Sequence, residues 1–120
     1  MIKTAWAHLP NAKHIDAVLA DARKRPGAWD AARTAARTAA WGAAWGAART
    51  AAWRAARTAA WDAARTAARD AIAALVTWDS SADLLDCTPD VLRTMIDLAE
   101  PPVCHQAVLL LPSAIVRFGT

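Results

Sequence analysis

The stretch WDAA RTAA RTAA WGAA WGAA RTAA WRAA RTAA WDAA RTAA RDAI runs without interruption from Trp29 to Ile72. It is one tetrapeptide written eleven times. The first slot is always Trp or Arg, and the last two are Ala-Ala until the final unit. Alanine is the best helix former and arginine is close behind it. No proline falls between residues 27 and 88. The repeat therefore predicts helix, and the chain as a whole reads as all-α. Gly42 and Gly46 each weaken a helix by about 1 kcal/mol relative to alanine. They stand one turn apart, where a long helix can bend or fold back.

The helical pattern does not stop with the repeat. Ile72, Leu75, Trp78, Ala82 and Leu85 continue at spacings of three and four, with Asp79, Ser80, Ser81 and Asp83 on the other face. The expectation is one long Ala-rich central helix over residues 28–86, flanked by short helices. With roughly 45–58 residues in it, such a helix would measure roughly 70–85 Å at about 1.5 Å per residue. A domain of this size is nearer 30 Å across. The helix must fold back near Gly42 to Gly46, or protrude and find partners.

Residues 1–27 read as an arm and a first helix. Asn11 is placed to cap it, Ile15, Val18, Leu19 and Ala22 share one face, and Arg23-Lys24-Arg25 sit in its last turn. Pro26-Gly27 breaks the chain. Residues 87–120 read as an acidic and apolar helical cap. Thr88 caps a helix that Pro89 opens and that runs to about Ala99. Pro101-Pro102 breaks again, Val103 to Leu111 is a short apolar helix, and Pro112 starts the last one, to Phe118. All 120 residues form a single helical domain.

Although 56% of residues are hydrophobic, alanine supplies much of that. Large apolar side chains gather at Ile15 to Leu19 and from Ile72 onward. A thin core through the repeat predicts a homo-oligomer. The net charge of +3 divides unevenly: residues 1–78 carry +7 and residues 79–120 carry −4. The two parts either face each other or leave the basic one to meet an external anion.

Catalytic and metal motifs are missing. There is no HExxH, GxxxxGK[ST], GxGxxG or GxSxG, and His8, His14 and His105 are scattered. Asp79, Asp83, Asp86 and Asp90 read as a solvated or Arg-facing surface rather than a cation site. No enzyme, cofactor or metal is expected. Cys87 and Cys104 lack CxxC spacing and read as reduced thiols. The start, MIKTAWAHLP, lacks the apolar run of a signal peptide. Val103 to Val116 is too short for a bilayer and holds His105, Gln106 and Pro112. The expected location is the cytoplasm of a bacterial host, with no membrane partner.

Four residues turn a helix by about 400°, so each tetrad drifts about 40° around the axis. Within that winding ridge, residues i and i+4 still touch. Arg49, Trp53, Arg57, Trp61 and Arg65 then alternate guanidinium and indole. Exposed Arg–Trp contacts of this kind are worth about 0.5–1 kcal/mol each. Asp30 with Arg33, and Asp62 with Arg65, are i,i+3 ion pairs by spacing. The ladder either stiffens an Ala-rich helix or forms a ligand site, in which Trp stacks on a base and Arg holds phosphate.

The tetrads, the segment AALVTWDSSADLLDCTPDVL (Ala73 to Leu92) and the run AVLLLPSAIV (Ala107 to Val116) together resemble small uncharacterised phage and prophage proteins of GC-rich bacteria. The resemblance implies a viral or mobile-element origin and assigns no activity to particular residues. The leading expectation is a non-enzymatic helical oligomer that binds an anionic nucleotide-like ligand through Arg49, Trp53, Arg57, Trp61 and Arg65, neutralising a host signal. The alternative is a structural or protein-interaction module with no small ligand. General nucleic-acid binding is the weakest reading, because the C-terminal third is acidic.

Overall fold

In the computed structural model the described residues are 6–39, 43–59 and 68–119, with side chains at 38, 39, 43 and 53–59 left out. The chain is all-helical. In order come α1 (Ala12–Lys24), α2 (Pro26–Ala39), α3 (Ala43–Ala59), α4 (Arg69–Thr77), a 3-10 helix (Asp79–Leu84), α5 (Pro89–Leu98) and α6 (Val103–Phe118).

The core is organised around α6. Val108, Leu109, Leu110 and Leu111 are consecutive and all buried. Four successive residues point in four directions on a helix, so α6 is enclosed on every side. Its partners are α2, α3, α4 and α5. This enclosure corrects the expected break at Pro112, which lies inside α6. Proline removes one backbone N–H and crowds the carbonyl four residues earlier. Burial from Gln106 through Pro112, and at Ala114 and Ile115, outweighs that loss.

The long central helix is also corrected. The principal extents are 42 × 27 × 22 Å, half the length a rod over 28–86 requires. The helices α2 and α3 both pack on α6, and α3 packs on α4, which one continuous helix cannot do. Of the two glycines where folding back was expected, Gly42 lies outside the described residues. Gly46 lies inside α3, and a Cβ there would meet nothing within 4 Å. Gly46→Ala is therefore expected to raise stability by up to about 1 kcal/mol in thermal or urea unfolding.

The drift of the repeat explains its segmentation. Among the described residues of the Ala-Ala tetrads the buried alanines are Ala32, Ala36, Ala48, Ala52 and Ala68, each the last slot of its unit; in the final unit, where Ile72 takes that slot, Ala71 is buried beside it. Third-slot Ala31, Ala47 and Ala51 are exposed. With about 40° of drift per tetrad, a straight helix keeps one slot against a flat neighbour for only two or three units. Separate helices bring the same slot back to the core, two alanines at a time in α2 and in α3.

The end of α4 is set by a residue 64 positions away. Asn11 stands at the N-cap position of α1, as expected, but its side chain does not cap that helix. Its Nδ2 instead donates to the carbonyls of Leu75 (3.0 Å), Trp78 (3.2 Å) and Asp79 (3.1 Å). Trp78 turns extended and the chain continues as the 3-10 helix. The α-helical extension expected through Leu85 thus ends at Thr77, because a tertiary hydrogen-bonding group satisfies the carbonyls that a further turn would use.

Two other boundaries follow local chemistry. Pro26 opens α2 as its first residue, where no N–H is needed, and Arg25 alone separates it from α1. Thr88 caps α5 by accepting from the Val91 N–H, with Pro89 at the first position. At the first junction Asp21 is a hub. Arg25 donates to both its oxygens through Nε and Nη2, and Trp29 Nε1 donates to Oδ2 at 2.8 Å. Burial opposes ionisation of Asp21, but the bonds from Trp29 and Arg25, with the charges of Arg25 and Lys24, hold its pKa below the ordinary value. A depressed folded pKa stabilises above the unfolded pKa and is lost as pH falls. Asp21→Asn is expected to be less stable than wild type at pH 7, with the gap closing below about pH 4. An equal gap at pH 7 and pH 3 in urea titrations would contradict this role.

Candidate functional site

The first slots of three tetrad runs converge. Arg33 and Arg37 come from α2, Trp45 and Arg49 from α3, and Arg69 opens α4. The Arg37 guanidinium carbon lies over the Trp45 ring, 4.3 Å from its centroid, and that of Arg49 lies 5.2 Å away. Cation–π contacts at such half-buried positions are worth about 0.5–2 kcal/mol. The indole Nε1 of Trp45 donates to Asp70 Oδ2 at 3.3 Å, and Asp70 is itself buried. Asp70 follows Arg69 on the first turn of α4, where a carboxylate also suits the helix dipole.

The pKa of Arg69 is lowered first by burial and then by the charge of Arg33, with smaller contributions from Arg49 and Arg37. Asp70 acts the other way. Among the described residues, three guanidinium groups and one carboxylate thus act on Arg69. The Nε atoms of Arg37 and Arg69 are buried and have no hydrogen-bond partner. A buried donor without an acceptor costs about 1–3 kcal/mol, more when charged.

The ion pairs among the described residues join Arg25 to Asp21, Arg93 to Asp90 and Arg117 to Asp86. None crosses between residues 1–78 and 79–120. Asp79, Asp83, Asp86 and Asp90 are all exposed. The i,i+3 pair expected between Asp30 and Arg33 does not form, since Arg33 is half-buried near Arg69 instead. Asp62 and Arg65 lie outside the described residues.

Of the five residues picked from the repeat, Arg49 takes its place in this cluster. Trp53 and Arg57 belong to α3, but their side chains are outside the description. Trp61 and Arg65 lie outside the described residues. Sequence reasoning missed Trp45, although it precedes Arg49 by the same four-residue contact spacing. It also missed Arg33, Arg37, Arg69 and Asp70, which meet only because α2, α3 and α4 fold together. Their one sequence signal is that every cation and the indole occupy the first slot.

The described residues contain no group of three or more His, Cys, Asp or Glu side chains suited to hold a metal ion. Cys87 and Cys104 are free thiols. No described helix is long and apolar enough to cross a membrane. Comparison with protein-family models, with curated proteins and with solved structures finds no match to this chain.

Proposed function

We propose that this chain is a non-enzymatic binding protein for a multiply charged, nucleotide-like anion, held by Arg33, Arg37, Arg49 and Arg69 around Trp45. What supports this reading is that, among the described residues, the buried Nε–H groups of Arg37 and Arg69 have no acceptor, in a cluster where neighbouring guanidiniums depress the pKa of Arg69. A phosphate group presents several acceptor oxygens and fits the guanidinium fork. Because Arg37 and Arg49 already lie over the Trp45 ring, phosphate contacts rather than base stacking would carry most of the affinity. In a phage setting, such binding would sequester a host nucleotide signal.

A second reading rests on the exposed Asp79, Asp83, Asp86 and Asp90. In a homo-oligomer the acidic surface of one copy would supply the counter-charge to the Arg cluster of the next. Calorimetry against cyclic and linear nucleotides, run beside sizing of wild type and Arg37→Gln, separates the two. Ligand binding predicts that Arg37→Gln lowers nucleotide affinity about tenfold while helicity and particle size stay unchanged. The interaction module predicts weakened assembly with no ligand present. Absence of binding by wild type to any nucleotide would leave the second reading.

A further inference from the structure

A second site lies at the opposite chemistry: a cavity of about 360 Å³ between α1, the start of α2 and the end of α6. It shares no residue with the Arg–Trp cluster. Its apolar surface comes from Val18, Leu85 and Val116, together with the Trp29 ring. Its polar groups are His14, Asp21, Arg25, Ser113 and Arg117. Volume and mixed lining place it at the small end of ligand pockets, which run from about 300 to 1,000 Å³.

The hydrogen-bond inventory of the wall decides the sign of an occupant. A carboxylate has about four acceptor sites. All of those of Asp21 are taken: Nε and Nη2 of Arg25 donate to Oδ1, and Nη2 of Arg25 and Nε1 of Trp29 donate to Oδ2. Asp21 is therefore closed to a cation. The donors are not closed. Arg25 uses Nε and Nη2, which leaves its Nη1. Arg117 uses Nη1 alone, on the Leu85 carbonyl and on Asp86, which leaves Nε and Nη2. The Asp86 partner is an exposed carboxylate, and exposed ion pairs are weak enough to be exchanged.

We infer that this cavity binds a small amphipathic anion: a short apolar body against Val18, Leu85 and Val116, and a single carboxylate taken by Arg117 and Arg25. The Ser113 hydroxyl lies on the same wall as Arg117, four residues earlier on α6. Octanoate is the probe, with octyltrimethylammonium as the matched cation and octanol as the neutral control. Two variants test the site without entering the core. Arg117→Gln removes the charge, and Ala17→Trp fills the cavity from an exposed position on α1. Calorimetry measures affinity, and the indole N–H signals report location.

The expected result is saturable one-site binding of octanoate that shifts the Trp29 indole signal and leaves that of Trp45 in place. Arg117→Gln should weaken it about tenfold and Ala17→Trp should abolish it. Arg37→Gln should leave it unchanged, so this site and the Arg–Trp cluster succeed or fail separately. The proposal is overturned if octanoate does not bind at about 10 mM, a free energy near −3 kcal/mol. It is equally overturned if the cation binds as well as the acid, or if neither Arg117→Gln nor Ala17→Trp changes octanoate binding.

Discussion

Replacing Asn11 by alanine is expected to lower unfolding stability by about 2–4 kcal/mol. Asn11 is 4% exposed, and its amide serves three carbonyls at the end of α4 and the turn that follows. Removing the amide leaves the buried Leu75 carbonyl facing a small void, while the Trp78 carbonyl keeps its bond from the Ser81 N–H. Each buried carbonyl left without a donor costs about 1–3 kcal/mol, and water reaching the helix end recovers part of that. The loss should be far larger than for an N-cap alone, where alanine costs about 1 kcal/mol. Asn11→Asp is the control: it keeps the shape but points oxygens at oxygens, and should be no more stable than the alanine variant. Urea unfolding measures both. A loss near that of a simple cap would mean that the link between α1 and α4 contributes little.

Ala52→Leu should destabilise the protein by about 1–3 kcal/mol, whereas Ala51→Leu should stay within about 0.5 kcal/mol of wild type. The two alanines are neighbours in the same tetrad and have equal helix propensity. Ala52 is fully buried, and its carbonyl accepts from Thr77 Oγ1 of α4 at 3.2 Å. Ala51 faces solvent. Three added carbons at Ala52 must push α4 or α6 away from α3, and close-packed cores resist that. Equal effects at the two sites would contradict the assignment of the fourth slot to the core.

The helices themselves were legible, because alanine, arginine and the absence of proline act locally. The start of α2 at Pro26, the cap at Thr88 and the apolar face of Ile15, Val18, Leu19 and Ala22 were legible for the same reason. Where the repeat divides was not, since every tetrad carries nearly the same propensity and only packing against α6 distinguishes the fourth slot from the third. Pro112 misled because its local penalty is real, yet the enclosure of α6 is a property of the whole fold. Asn11 misled in the opposite sense: its position at a helix start was readable, and the destination of its side chain was not.

The candidate site divides in the same way. That Trp and Arg share the first slot was readable from the repeat alone. That Arg37 and Arg49 would meet at one indole, with Arg33, Arg69 and Asp70 beside it, depends on three helices finding each other. The predicted ladder follows the winding ridge of a single helix. The observed cluster is built across helices, which half-buries its charges.

The chain has seven tryptophans, and each indole N–H gives its own resonance. Titrating nucleotides into the labelled protein while following those signals reports whether the Arg–Trp cluster is occupied. The Trp45 N–H, hydrogen-bonded to Asp70 within the Arg cluster, should shift and saturate with a phosphate-bearing nucleotide. The N–H signals of Trp6 and Trp29, held by Asp16 and Asp21, should not move. A Trp45 signal that stays fixed at millimolar nucleotide would contradict the account.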